Sequence, residues 1–145
     1  MTRIEWKAEY ELGVPAMDAE HRELIAAMNR VRELAGQAAA RSQIEAALQR
    51  LVALTKKHFA DEEAHMARFQ YGDRTRHRLI HQEMLRRVGG YRDRFRAGDG
   101  KVSREFCDFL VHGLAAHLTG IDREYASTLL ATTNPQPAAA QRRRG

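Results

Sequence analysis

The sequence predicts an all-α protein, an antiparallel up-down-up-down four-helix bundle preceded by an N-terminal arm. Three observations point there. Apolar residues recur at three- and four-residue intervals over four long stretches. The three prolines, Pro15, Pro135 and Pro137, lie near the ends, so none interrupts a helix in the middle of the chain. Short glycine-bearing turns separate the stretches, and short connections make neighbouring helices antiparallel. A chain of 145 residues is long enough for one domain with a buried core. That domain is expected over residues 1–131, with the arm at 1–17.

The arm carries Ile4, Trp6, Tyr10, Leu12 and Val14 without a sustained helical period and ends at Pro15. It should lie along the outside of the bundle, anchored by Trp6. Asp18 reads as the N-cap of a first helix over 18–37, with His21, Leu24, Ile25, Met28, Arg32 and Ala35 on one stripe and Gly36 near the end. A second helix over 41–68 shows Ile44, Leu48, Leu51, Thr55, His58, Glu62 and Met66 in a near-heptad row. Tyr71-Gly72-Asp73 then turns the chain. The third, over 74–96, lines one face with His77, His81, Met84, Val88, Tyr91 and Phe95, and Gly98-Asp99-Gly100 closes it. The fourth, over 102–131, points Phe106, Phe109, Leu110, Gly113, His117 and Ile121 inward.

Composition narrows the function. The lone Cys107 excludes an internal disulfide framework, no CxxC is present for zinc or redox work, and Cys107 reads as a small core or boundary residue. No leader-like segment and no apolar run long enough to span a bilayer is found, so a soluble protein of the reducing cytoplasm is expected, with no membrane partner. Of the net charge of +5, three come from Arg142, Arg143 and Arg144. The other arginines are interspersed with acids, as on a solvated surface, which argues against nucleic acid as a partner. The segment 132–145, rich in Ala, Pro and Gln, is expected to form a disordered basic tail. Gly100-Lys101 lacks the rest of a phosphate-binding loop.

The chemistry lies in an ordered series: His21, then His58 with Glu62, then His77 with His81, then His117 with Asp122. The second and third pairs are spaced i,i+4, which puts both members on one helical face a turn apart. One such pair is weak evidence. Two of them, flanked by a histidine and a further His–Asp pair on separate amphipathic stretches, are strong evidence. Alternating helix directions bring all seven groups to one level near one end of the bundle. Imidazole and carboxylate without thiolate suit iron, and suit zinc, nickel or manganese less well on ligand type alone. His65, His112 and Glu63 fall outside the pattern. His65 reads as part of a solvated bundle end, His112 as exposed or packed, and Glu63, rotated about 100° from Glu62, as facing solvent or a neighbour. His117 and Asp122 are five residues apart, about 140° around a regular helix. A π-type turn between them, eased by Gly120, is therefore expected.

At these residues the chain resembles the hemerythrins, specifically single-domain bacteriohemerythrins. The resemblance spans residues 4–126. It rests on Gly13-Val14-Pro15-Ala16-Met17-Asp18-Ala19-Glu20-His21, on His58-Phe59-Ala60-Asp61-Glu62-Glu63, on His77 and His81, and on His117-Leu118-Thr119-Gly120-Ile121-Asp122. It implies two non-haem iron ions per chain, one held by His77, His81 and His117 and the other by His21 and His58. Glu62, Asp122 and an oxo or hydroxo group would bridge them. Counted against two octahedral irons, this set leaves one position open, on the iron with two histidines. Dioxygen would bind there, taking one electron from each ferrous ion, and small anions could compete for the same position.

The resemblance also implies an apolar oxygen pocket at Leu24, Phe59, Gly113 and Leu114. Gly113 departs from the family, whose usual residue there is tryptophan; the chain reads Gly113-Leu114-Ala115-Ala116-His117. Either a cavity toward the open iron position or a side chain such as Trp6 or Phe109 swung into the gap is expected. The implied function is reversible oxygen binding for storage or delivery, a carrier and not an enzyme. The alternatives are an oxygen sensor acting through a partner, or a diiron enzyme handling peroxide or nitric oxide.

Overall fold

The computed structural model describes residues 3–133, and the side chains of Ile121 and of residues 129–133 lie outside the description. The expectations for the tail beyond 133 and for the inward face of Ile121 therefore fall outside it. Four helical rods run alternately up and down. They are α1 (Pro15–Gly36), α2 (Arg41–Arg68), α3 (Arg74–Ala97) and a fourth rod in pieces. These pieces are α4 (Arg104–Phe109), a π-helical stretch (Leu110–Ala115), α5 (Ala116–Thr119) and α6 (Ile121–Thr133). No strand is present among the described residues.

The antiparallel order shows in the contacts between ends. Arg41, at the start of α2, donates to the carbonyls of Phe95, Arg96 and Gly98 at the end of α3. Lys57, late in α2, bonds Glu20, early in α1. Both are cationic side chains serving groups that would otherwise stay open, carbonyls at a helix C-terminus in one case and a carboxylate in the other.

Five element boundaries differ from expectation, two of them, the ends of α1 and α3, by a single residue. α1 starts at Pro15, with Val14 in the N-cap position. Proline is preorganised for the first helical position, where its missing N–H has no intrahelical use. Asp18 is therefore not the cap. It sits in the first turn, buried, and accepts from the backbone N–H groups of Leu12 (2.8 Å) and Gly13 (3.2 Å), pinning the arm. The fourth rod begins at Arg104, after Ser103 accepts from Phe106 N–H at 3.1 Å as its N-cap. The helix also continues to Thr133, past the expected end at 131.

The π-helical stretch lies at Leu110–Ala115, before His117 and not between His117 and Asp122. The wide turn buries Phe109, Leu110, Leu114 and Ala115 together. The five-residue gap to Asp122 is handled by a break at Gly120, whose φ of −111° and ψ of −72° depart from helical values while its N–H still reaches Ala116 O at 2.9 Å.

The arm holds to the bundle by a two-way clamp: Ile4 N–H donates to Asn29 Oδ1, and Asn29 Nδ2 donates to Ile4 O, both at 2.7 Å. Ile4 and Trp6 then pack on the main core, which includes the fully buried Leu48, Leu51, Leu110 and Leu118. Each such side chain contributes about 1.5–3 kcal/mol by leaving water. A smaller cluster of Leu12, Met17, Met66, Tyr125 and Ala126 closes the other end. His21 falls in sequence between Met17 of the smaller cluster and Leu24 of the main core. Glu62 and Asp122 fall between the main-core residues Phe59 and Leu118 and the smaller-cluster residues Met66 and Tyr125.

Candidate metal centre

All seven side chains of the series are buried: His21, His58, Glu62, His77, His81, His117 and Asp122. Each rod contributes. α1 supplies His21, and α2 supplies His58 and Glu62 from consecutive turns. α3 supplies His77 and His81 in the same way, and the fourth rod supplies His117 and Asp122 on either side of the Gly120 break. Their ligand atoms form two overlapping groups. One holds Glu62, His77, His81, His117 and Asp122; the other holds His21, His58, Glu62 and Asp122.

The carboxylates divide their oxygens between the groups. Asp122 Oδ2 lies 2.9 Å from His21 Nε2 and 3.1 Å from His58 Nε2. Asp122 Oδ1 lies 2.9 Å from His117 Nε2 and 3.1 Å from His77 Nε2. Glu62 Oε1 approaches His77 Nε2 (2.7 Å) and His81 Nε2 (3.0 Å), and its Oε2 faces His58 Nε2 at 3.5 Å.

Several of these atoms have no hydrogen-bond partner. Both oxygens of Glu62, Nε2 of His81 and Nε2 of His117 are buried and unsatisfied, because close approach alone does not give hydrogen-bond geometry. Nε2 of His21 and of His58 stand 3.1 Å apart. Orphaned buried acceptors facing one another are costly unless a cation lies among them. The donor set therefore fits metal ions, and its imidazole and carboxylate character fits iron.

The electrostatics agree. Burial alone would raise the Asp122 carboxyl, but the imidazoles of His117, His21, His58 and His77 beside it hold it well below the usual carboxylate range. Burial opposes charge on His58 and His77, yet Asp122 and Glu62, joined at His58 by Glu20, push these rings up to about 10 and about 9. The negative charge of the layer calls for positive charge, supplied by protons when metal is absent.

The apolar flank is dense. Phe59 stacks on His81 (centroids 3.8 Å apart, planes 4° apart) and meets His117 edge-on at 5.5 Å. Leu24 and Leu114 are fully buried beside this layer. At Gly113, Phe109 fills the gap; a Cβ there would lie 2.7 Å from Phe109 Cδ1. Trp6 is elsewhere, under the Arg22 guanidinium. Gly113 and Phe109 themselves border an open groove of about 330 Å³, with Arg87, Tyr91, Glu105, Asp108 and His112, none of them in the ligand series.

Two residues have more direct roles than their sequence positions indicated. Glu63 accepts from His81 Nδ1 at 2.9 Å, and Glu20 accepts from His58 Nδ1 at 2.9 Å. Glu63 does face a neighbour, and that neighbour is His81, a histidine of the series. His65 bonds the buried Tyr125 hydroxyl at 3.0 Å, and His112 is exposed. Cys107 is buried, and burial pushes its thiol up.

A helical bundle with two histidine–carboxylate clusters sharing both carboxylates is a cation-binding protein by construction. The family model described as the hemerythrin HHE cation binding domain matches residues 12–129. The chain belongs to the hemerythrin family. It is 30% identical over 134 residues to a bacteriohemerythrin of Stenotrophomonas maltophilia (strain R551-3), covering 92% of this chain and 86% of that protein. It is 30% identical over 129 residues to a bacteriohemerythrin of Pseudomonas aeruginosa (strain LESB58), covering 89% and 83%. A myohemerythrin of Riftia pachyptila is 27% identical over 124 residues, covering 86% and 92%. No helix among the described residues is long and apolar enough to cross a membrane.

Proposed function

We propose that this chain binds dioxygen reversibly at a carboxylate-bridged pair of non-haem iron ions, as a cytoplasmic store or carrier. The observation that carries the reading is the division of the Glu62 and Asp122 oxygens between two histidine groups, each group short of a cation. In this reading His77, His81 and His117 hold one ion, His21 and His58 hold the other, and both carboxylates bridge. Bound iron would supply the electrons that make dioxygen bind tightly yet reversibly. The chain's own residues do the rest. The two carboxylates fix the ions at one level, and Leu24, Phe59 and Leu114 keep water and protons away from the open position.

A binder is favoured over an enzyme by what surrounds the ligands. The carboxylates beside the site, Glu20 and Glu63, are committed to its imidazoles, and the Tyr125 hydroxyl, whose ring faces His77, is committed to His65. The test is an optical spectrum of the iron-loaded ferrous protein before air, after air, and after air is removed again. A charge-transfer band that appears and disappears with oxygen is expected. Immediate, irreversible conversion to the diferric form would favour an enzyme handling peroxide or nitric oxide.

A further inference from the structure

Two carboxylates outside the ligand series touch it, and they are unequal. His58 Nδ1 donates to Glu20 Oε1 and His81 Nδ1 donates to Glu63 Oε2, both at 2.9 Å. Among the described residues, these are the two ligand histidines with a carboxylate at Nδ1; Nδ1 of His117 is buried without a partner. His58 belongs to the smaller histidine group and His81 to the larger, so each group contains one anchored ring. A carboxylate at Nδ1 fixes the proton there, leaves the Nε2 lone pair for metal, stops ring rotation and makes the imidazole a stronger donor.

The anchors differ in charge balance. The second oxygen of Glu20 accepts from Lys57 Nζ at 2.9 Å, and that ammonium also bonds Asp61 at 2.8 Å. Glu63 bonds His81 and no cation among the described residues. An ammonium on the far side of Glu20 draws off electron density that Glu63 keeps for its ring.

We propose that Glu20 and Glu63 are positioning residues, one for each metal ion, and that Lys57 weakens the Glu20 anchor so that the two ions are held and tuned unequally. This rests on the reading of the seven-residue layer as a diiron site. Glu63 is the stronger electron-pushing anchor, acting through His81 on the three-histidine ion. Glu20 acts through His58 on the two-histidine ion, the one with the open position. Lys57 sets how hard Glu20 pushes, from a side chain that is 66% exposed and touches no ligand.

The experiment uses the full chain loaded with iron, in the wild type and in Glu20→Gln, Glu63→Gln, Lys57→Met and, as a surface control, Glu83→Gln. Glutamine keeps a hydrogen-bond acceptor and removes the charge, so the fold is retained; circular dichroism of the metal-free forms checks this. Three quantities are read: iron per chain, the rate of iron loss to a chelator, and the reduction potential followed by the charge-transfer spectrum. Glu63→Gln should speed iron loss by about 10- to 100-fold and raise the potential. Glu20→Gln should do the same to a smaller degree. Lys57→Met, which frees Glu20, should slow iron loss and lower the potential, a direction that mere structural damage would not give. Glu83→Gln should match the wild type. If the wild type takes up no iron, the diiron reading itself fails. If the wild type takes up two irons and all four variants release them at its rate and potential, the reading stands and the positioning roles are overturned. The same holds if Lys57→Met moves in the direction of Glu20→Gln.

Discussion

Of the two rings that approach both shared carboxylates, His77 is the closer to Glu62, at 2.7 Å from Oε1, and it lies 3.1 Å from Asp122 Oδ1. His77→Ala should therefore do two things at once: lower iron per chain, and leave two buried carboxylates short of a partner at a cost of about 3–5 kcal/mol. At roughly 2–4 °C per kcal/mol the melting temperature should fall by about 6–20 °C. Two irons and an unchanged melt would remove His77 from the ligand set. The protons in the empty site allow a second check. With His58 at about 10 and His77 at about 9, both rings are charged at pH 7 without metal. Metal takes only neutral imidazole, so loading at pH 7 should release at least the two ring protons per chain, with those of any bridging water in addition, and bind more tightly as pH rises toward 9–10. Calorimetry in buffers of different ionisation enthalpy counts them, and no release would show that the rings are already neutral. The clustering of these seven side chains was legible in the sequence because two of the pairs repeat at helical spacing and alternating helix directions bring all seven to one level. Glu20 and Glu63 were not. A wheel drawn for α2 turns Glu63 away from Glu62, but it cannot say that His81 of α3 waits on that flank.

At the scale of elements, helix ends depart most from simple reading. α2 runs over the expected residues, and α3 ends one residue later than expected, since their apolar rows are long and unbroken. The caps were hidden, because glycines stood close by and were not used. α1 closes with Ala38 at a φ of 50° and Ala39 N–H reaching back to Leu34 O. α2 closes in the same way, with Gln70 at 53° and Tyr71 N–H on Met66 O. A left-handed residue with a Cβ is strained where glycine is not, so Ala38→Gly should stabilise the protein by about 0.5–1 kcal/mol, a rise of a few degrees on melting. A lower melting temperature would show that the side chain matters more than the turn. In the fourth rod, Gly113 depends on Phe109. Gly113→Trp should force the Phe109 ring out of its packed place beside Tyr91 and under Arg87, costing about 1–3 kcal/mol. Adding Phe109→Ala to Gly113→Trp should recover most of that loss. Additive losses in the double variant would mean that the two side chains do not share one space.

For the whole molecule, the polar layer joins all four rods between a large apolar core and a smaller cluster. Removing metal with a chelator should leave the helices in place, held by the larger core. It should lower the melting temperature, and the smaller end, with Leu12, Met17 and Tyr125, should exchange its amide hydrogens first. Uniform exchange along the rods would show that the ends are not separable. The shared carboxylates have a further consequence, for how the site fills. If two ions are held as proposed, the first would order Glu62 and Asp122, displace the protons on their imidazole partners, and leave each carboxylate with one oxygen facing the second histidine group. The ordering cost would then be incurred once for two ions, and the shared negative charge would offset repulsion between them. Filling should then be close to all-or-none. Given half the iron it can hold, a population of these chains should divide into full and empty molecules, with few carrying a single ion, and native mass spectrometry would count the three kinds directly.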